Sequence, residues 1–498
     1  MLSFIKPIPF FAALSVSVAL FFSCASPPEE HIADPEPVSA PAAVKKATPA
    51  PVVAEKPPAP APAAPIPATP EVPDTQTLLI RIADLLSEQA FDEAIALFDE
   101  IASPDAESAK VRLLKASAFS SAGRFDEARA TANAVIAEQP ANMDAVFTLS
   151  TIEKSARKPT VQLALLERIL ATEPVHVNAL VARGALYFSG RALKDAAQCY
   201  ERALAENASH GDALIGRAQV YRYERDLKNA ETLLSRAVEA YPDWTLPLSE
   251  RAKLYRDAKK PALALADLNK AKELAPADYW VATDRGSLLI DMQKKPAALE
   301  EYQRAITLEP DNFLAYVYSA GLKDELGDYD GAEGDYATLS RLKPDYYFAF
   351  EGLGIHKMRR GRFGEARDAF LRAYLYAPEP SYALLAALNW MRAGNANEAK
   401  AFLEQVLRDT RRDTAEWLML TLYHDQSGDA TVAQRLGREP NEDVKAKMLY
   451  YLANYYDLNG KKAVADIYFQ QVRELNRPFM IEWRLNEWAL EQRRLALK

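Results

Sequence analysis

Small residues recur along this chain at a fixed interval of 34 positions. The first ladder consists of Ala94, Ala128, Ala196, Ala230, Ala264, Ala298, Ala332 and Ala366, with Gln162 at the remaining step. A second ladder of the same period consists of Pro140, Pro174, Pro242, Pro276, Pro310, Pro344 and Pro378, with Ala208 at the vacant step. Two independent ladders with one period predict a tandem array of similar units.

Each unit is predicted to contain two helices. The unit that begins near Val177 shows the pattern on its first and second helix at Leu180, Gly184 and Tyr187, then Ala196, Tyr200 and Ala203. Small residues at two of these positions allow the helices to approach closely, and the aromatic rings fill the space between neighbouring pairs. The ladder proline ends each second helix because proline cannot continue one.

This pattern resembles the tetratricopeptide repeat, a helix-turn-helix unit whose length equals the period of the two ladders. The resemblance implies an all-α fold, an α-α superhelical solenoid of about twelve repeats over residues 76–478. The last two units, near Trp417 and Met448, are degenerate. Residues 479–498, with Trp483 and Trp488, are similar to the single capping helix that covers the last open face of such arrays.

The N-terminal residues follow a different pattern. Lys6 and the apolar run from Ile8 to Phe22 predict a secretory signal peptide over residues 1–23. The sequence Phe21-Phe22-Ser23-Cys24 resembles the lipobox of bacterial lipoproteins, which implies lipidation of Cys24, although Phe21 stands where leucine is commonest. The alternative is an ordinary cleaved signal followed by an incidental cysteine.

Residues 24–75 contain 15 of the 32 prolines and almost no large apolar residue. Such a segment cannot bury enough apolar surface to offset the entropy of ordering it, so we predict a disordered Pro/Ala-rich stalk. Its composition favours an extended polyproline conformation and the role of a semi-rigid spacer. A docking site for a proline-recognising partner is the alternative.

Composition excludes several classes of function. The net charge of −9 and the pI near 5.4 argue against nucleic acid as a partner. The five histidines lack metal-ligand spacing, and we find none of the common catalytic or cofactor-binding motifs. We therefore predict no metal, no cofactor and no enzymatic activity. Cys199, the only other cysteine, is predicted to be buried and inert.

Family members usually bind ligands in the concave groove lined by their first helices. The resemblance therefore implies a partner-binding groove formed by Phe147, Phe188, Arg222, Arg256, Trp280, Phe348, Met358 and Tyr382. Large aromatic residues are typical anchors for a peptide or helix, although some of these rings could instead pack between repeats. Trp280 is predicted to face the groove, whereas Tyr302 in the same unit is predicted to fill the packing position.

A third ladder, with the same period as the first two, consists of Arg183, Arg217, Arg251 and Arg285. A row of guanidinium groups could receive an anionic partner. The resemblance favours a structural role, in which these arginines pair with acids of the second helices such as Asp267 and Glu301.

The chain is thus predicted to be a non-enzymatic protein–protein interaction scaffold of the bacterial cell envelope. We expect export across the inner membrane, a lipid anchor at Cys24 in a periplasmic or outer-membrane location, and binding of peptide or helix segments of a protein partner. The main alternative is a carbohydrate- or peptidoglycan-binding lipoprotein that uses Tyr279, Trp280, Phe348 and Tyr382 as stacking platforms; a structural oligomer is a third possibility.

Overall fold

The computed structural model describes residues 74–496, and all regular structure in that range is helical. The predicted signal peptide, Cys24 and nearly all of the predicted stalk lie outside the described residues. The described chain divides into an N-terminal unit, residues 74–224, and a C-terminal unit, residues 225–496.

The N-terminal unit contains nine α-helices within its described residues. These are α1 (Thr75–Ser87), α2 (Phe91–Leu97), α3 (Ala109–Ser121), α4 (Phe125–Glu138), α5 (Met143–Ser155), α6 (Pro159–Thr172), α7 (Val177–Ser189), α8 (Leu193–Glu206) and α9 (Gly211–Tyr223). Two short 3-10 helices, Phe98–Glu100 and Asp105–Glu107, separate α2 from α3.

The C-terminal unit has sixteen α-helices between residues 225 and 496. These are α10 (Leu227–Ala240), α11 (Thr245–Asp257), α12 (Pro261–Leu274), α13 (Tyr279–Asp291), α14 (Lys295–Leu308), α15 (Phe313–Leu326), α16 (Tyr329–Leu342), α17 (Tyr347–Arg359), α18 (Phe363–Tyr376), α19 (Pro380–Arg392), α20 (Ala396–Asp409), α21 (Ala415–Asp425), α22 (Asp429–Gly437), α23 (Glu442–Leu458), α24 (Lys462–Leu475) and α25 (Ile481–Ala496). The predicted all-α fold of about twelve helix-turn-helix repeats followed by a single helix is confirmed.

The first helices of the N-terminal unit begin at a side-chain cap that recurs with the repeat period. The capping residues are Ser108, Asn142, His176 and His210, and each accepts a hydrogen bond from the backbone N–H three residues later. This bond satisfies one of the four backbone donors that a helix start leaves unpaired. Two of the five histidines therefore have a structural function through Nδ1.

Close approach of the two helices in a repeat depends on glycine facing an aromatic ring. A Cβ atom added to Gly286 on α13 would lie 2.7 Å from the ring of Tyr302 on α14. The same relation joins Gly354 on α17 to Phe370 on α18, at 2.6 Å. Because Tyr302 and Phe370 are fully buried, the predicted packing role of Tyr302 is confirmed.

One position in the turn after each first helix has a positive φ. Lys259 and Gln293 hold it at 57° and 59°, and Gly327 and Gly361 hold it at 84° and 71°. Such left-handed residues end helices, and glycine adopts them without steric cost.

Residues 74–496 contain neither a metal-binding cluster nor a membrane-spanning helix. No group of three or more histidine, cysteine, aspartate or glutamate side chains is arranged to hold a metal ion. Within the same range, every helix is too short or too polar to span a bilayer.

Candidate partner-binding site

The arginines of the third ladder are paired with other groups of the protein. Arg251 donates two hydrogen bonds of 2.8 Å to Asp267, on the second helix of its own repeat, and one of 3.2 Å to Ser235, on the preceding second helix. Arg285 donates one hydrogen bond to Glu301, on the second helix of its own repeat, and one of 2.9 Å to Asn269, on the preceding second helix. These contacts confirm the predicted pairing with Asp267 and Glu301 and show that each arginine joins adjacent repeats.

The same ladder positions in the N-terminal unit also face protein groups. Arg217 donates to Glu201 at 2.9 Å and lies 3.6 Å from the ring centroid of Tyr221. Arg183 Nε donates to Cys199 Sγ at 3.3 Å. Cys199 is buried, as predicted.

Three of the predicted groove residues lie in the N-terminal unit, and all three are half-buried. Phe147 packs beside the core of α5, α6 and α7, with its ring centroid 5.7 Å from that of His176. Phe188 packs beside Ala196 and Tyr200, and Arg222 already has an interaction within the protein. None of these three side chains lines the cavity described below.

In the middle of the C-terminal unit, the predicted residues differ in accessibility. Trp280 on α13 is 60% exposed, as predicted, and Arg256 on α11 is held by Asp291 at 2.7 Å. Met358 on α17 is only 1% exposed and belongs to the core. The expectation that Met358 presents an accessible groove surface is therefore not met, because Asn389 and the core of α19 cover it.

A cavity of about 550 Å³ lies between first helices and the C-terminal helix α25. Residues of α15, the start of α16, α17 and the start of α19 form one side, and Lys447 of α23 also contributes. The other side consists of residues 478–480 and α25. Phe348 and Tyr382 are the two predicted groove residues that the structure brings together here.

Tyr382 and Glu351 form the centre of the first-helix side of the cavity. Tyr382 is 5% exposed, and its hydroxyl donates a hydrogen bond of 2.6 Å to Glu351 Oε2. Glu351 as a residue is half-buried, but protein surrounds its carboxyl group, and this burial raises its pKa above the ordinary value; the Tyr382 bond and the charge of Arg484 oppose the shift. Burial likewise raises the pKa of Tyr347 to about 12.

Aromatic rings line the same wall. The ring of Phe348 stacks on that of Tyr347 with centroids 4.1 Å apart, and the ring centroid of Tyr382 lies 6.0 Å from that of Tyr347. The carbohydrate alternative requires Tyr279 and Tyr382 as accessible stacking platforms, but they are 3% and 5% exposed. Two of the four rings on which the carbohydrate alternative depends are therefore packed inward.

Family models match several segments of this chain. One tetratricopeptide repeat model matches residues 85–151, and a second matches residues 154–210, 185–244, 283–347 and 320–383. Together these segments cover about half of the chain. The chain belongs to the tetratricopeptide repeat family.

Solved structures of other tetratricopeptide repeat proteins have low identity to it. The Cut9–Hcn1 hetero-tetramer of the APC/C matches with 16% identity and a TM-score of 0.43, over 59% of this chain and 58% of that chain. A tetratricopeptide repeat protein from Parabacteroides merdae matches with 20% identity and a TM-score of 0.40, over 50% and 98%. Yeast Tom70 matches with 14% identity and a TM-score of 0.33, over 84% and 96%. No protein with a curated description matches the sequence.

The repeat pattern did not identify the contribution of the C-terminal helix to this site. We predicted α25 as a cap on the last tetratricopeptide repeat, and it does pack against α23 and α24. Glu482, Arg484 and Trp488 of α25 also line the cavity opposite α17. The alternation of charged and aromatic residues in this helix was the available signal, because a plain cap needs polar residues only on its solvent side.

Proposed function

We propose that this tetratricopeptide repeat protein is a non-enzymatic scaffold that binds segments of protein partners on the first helices of its C-terminal unit. The observation that carries the proposal is the cavity between α15, α17, α19 and α25, with its stacked rings and charged rim. Aromatic anchors in a pocket surrounded by polar groups are typical of sites that bind a peptide or helix.

The internal pairing of the ladder arginines also favours the first-helix surface as the binding site, because arginines that are already paired are not available to a partner. Each ladder arginine in α11 and α13 is held by carboxylate, amide or hydroxyl groups of the second helices, so these guanidinium groups are already engaged. Trp280 on α13, in contrast, keeps most of its ring in contact with solvent. An exposed tryptophan has apolar surface to contribute to an interface.

Photo-crosslinking from the cavity would test this proposal. A photoreactive phenylalanine derivative is placed at Phe348, which lines the cavity, or at Leu375 on α18 of the same repeat, which is 64% exposed. We expect a protein adduct from the Phe348 position and none from the Leu375 position. Equal adducts at both positions, or an adduct at Leu375 alone, would show that the partner surface lies elsewhere.

We further propose that the scaffold acts in a bacterial cell envelope, where it organises envelope complexes. This proposal is supported by the resemblance of residues 1–24 to a lipoprotein signal and by the Pro/Ala-rich composition of residues 24–75. An extended stalk of that length would hold the repeats on the order of 100 Å or more from the membrane. Acyl chains on Cys24 would supply the anchor, because each buried methylene contributes about 0.8 kcal/mol.

A single substitution tests the anchor. The Cys24→Ala protein is expected to be soluble after cell lysis and to incorporate no radiolabelled palmitate, whereas the unmodified sequence is labelled and sediments with membranes. A Cys199→Ala variant is the matched control, since Cys199 is buried in the repeats. Unchanged membrane partitioning of the Cys24→Ala protein would refute lipidation.

A further inference from the structure

The cavity at α25 has an excess of acidic groups. Among the described residues, six carboxylates line it together with three cationic side chains, Arg359, Lys447 and Arg484. The six carboxylates belong to Asp324, Glu325, Glu351, Glu379, Glu482 and Glu491. This imbalance alone does not define a site, since each carboxylate could be satisfied by neighbouring protein groups.

Five of the six carboxylates do have such partners, and one of these five is Glu491, which pairs with Arg494. Asp324 accepts a hydrogen bond of 2.9 Å from the Tyr336 hydroxyl and lies 2.8 Å from His356 Nε2. Glu325 lies 3.0 Å from Lys295, and Glu351 accepts the bond from Tyr382. The exposed Glu379 lies 4.0 Å from Lys447.

Glu482 differs from the others in burial and in pairing. It is 0% exposed, and Oε1 accepts a hydrogen bond of 2.9 Å from Tyr451. No donor within residues 74–496 reaches its second oxygen, Oε2. A buried carboxylate oxygen without a donor is costly, and here it belongs to a residue that lines a cavity large enough for a side chain.

Two of the three cationic side chains of the cavity, Arg359 and Lys447, lie beside other protein groups. The guanidinium of Arg359 lies 4.0 Å from the ring centroid of Tyr329. The charge of Arg484 acts on Glu351, whose pKa it lowers against the larger effect of burial. The rings of Phe348, Tyr347 and Trp488 also line the cavity, and their faces attract cations.

We propose that this cavity binds a cationic side chain of a partner segment, an arginine guanidinium or a lysine ammonium, with Glu482 Oε2 as its hydrogen-bond acceptor. The aromatic wall of α17 and α25 contacts the apolar stem of that side chain. Because Oε1 is already occupied by Tyr451, the bond to the ligand is made through one oxygen. This inference rests on the proposed function, since it specifies the chemistry of the bound partner.

The test uses single side chains as probes of the full-length protein. N-acetyl-arginine amide, N-acetyl-lysine amide and the neutral N-acetyl-citrulline amide are titrated against protein labelled with ¹⁵N at tryptophan. Concentrations of about 10 mM cover the millimolar affinity expected of one side chain. We expect the indole signal of Trp488 to shift with a cationic probe, and affinity for citrulline amide to be at least about tenfold weaker. A response to the arginine or the lysine probe alone identifies which cation is bound.

Two variants locate the acceptor. Glu482→Gln keeps an oxygen for the Tyr451 hydroxyl but replaces the anionic Oε2, so it should reduce affinity for the cationic probe at least about tenfold. Glu404→Gln removes an exposed carboxylate on α20 and should leave affinity unchanged.

Equal shifts with the charged and neutral probes, or no shift with any probe, would overturn the proposal. So would unchanged affinity in folded Glu482→Gln protein. If that variant fails to fold, the comparison of the charged and neutral probes on the unmodified protein still decides whether the cavity prefers a cationic side chain. Loss of crosslinking at Phe348 with intact probe binding would instead refute the proposed scaffold function and leave the cation site standing.

Discussion

Two first helices of the C-terminal unit, α13 and α19, are buried to different extents. In α13 buried residues are interspersed with half-buried ones, and Trp280 is exposed. In α19 nine consecutive residues from Ser381 to Asn389 are buried, so the helix is covered on every side. A helix buried all round needs neighbours on the face that an ordinary repeat leaves open.

That additional cover comes from helices distant in sequence. The Tyr451 hydroxyl on α23 lies 2.9 Å from the backbone oxygen of Ser381 on α19 and 2.9 Å from Glu482 Oε1 on α25, and these two acceptors share its one hydrogen. Arg392 of α19 donates to Asn454 of α23 at 2.7 Å. The middle repeats are thus stabilised by neighbours in sequence, whereas the last repeats depend on contacts outside the repeat pattern.

Removal of α25 should have the largest effect on this difference. The helix buries Trp483, Leu485 and Leu490, and loss of three such side chains costs roughly 5 kcal/mol or more. Hydrogen exchange of protein that ends at Pro478 should increase in α19–α24 and stay unchanged in α11–α14, because repeats depend on their neighbours. An equal increase throughout residues 225–478 would contradict the distinction between the two regions.

Truncation of a buried ring and of an exposed ring in the middle repeats should change the free energy of unfolding by different amounts. Tyr302→Ala removes a fully buried ring that stacks on Tyr318 with centroids 4.8 Å apart, and should destabilise by about 3–5 kcal/mol. Trp280→Ala should change stability by less than about 0.5 kcal/mol, because the ring is mostly exposed. Thermal melts of the two variants measure both values. Early melting of the Trp280→Ala protein would show that this ring is part of the core.

Removal of one tyrosine hydroxyl from the last repeats should cost more stability than removal of one from the middle repeats. Tyr451→Phe removes the single hydroxyl hydrogen that the backbone oxygen of Ser381 and Glu482 Oε1 share, and leaves these acceptors buried, at a cost of about 1–3 kcal/mol. Tyr302→Phe loses one long bond of 3.4 Å to Ser287 and should cost less than about 1 kcal/mol. Denaturant unfolding, monitored separately in the last and in the middle repeats, measures the loss of stability in each variant. Equal costs would mean that the long-range bonds add nothing to the last repeats.

The smallest effect is expected in the turns. The left-handed position is held by Lys259 and Gln293 in the middle repeats but by Gly394 and Gly460 after α19 and α23. Lys259→Gly should stabilise by up to about 1 kcal/mol, and Gly394→Ala should destabilise by about the same amount. The midpoints of denaturant unfolding report the two shifts. Destabilisation by Lys259→Gly would show that the lysine side chain contributes a contact that outweighs the strain.

The sequence could predict those features that recur with the period of the repeat. The helix pairs, the Tyr302 packing position and the pairing of Arg251 with Asp267 all follow from residues at fixed offsets. The cavity could not be predicted in this way, since the Tyr451–Ser381 bond joins positions 70 residues apart that share no period. Binding by the predicted groove residues stays a prediction, with Met358 inaccessible in this structure.

The central claim is that partners bind the first helices of the C-terminal unit. Affinity capture from an extract of the cells that make this protein, with Trp280→Ala compared with Leu375→Ala, tests it most directly. Both residues are largely exposed, at 60% and 64%, but one lies on a first helix and the other on a second. We predict that Trp280→Ala weakens capture by about 2 kcal/mol or more while Leu375→Ala captures partners at full strength. Full capture by a normally folded Trp280→Ala protein, or loss of capture only in Leu375→Ala, would contradict the account.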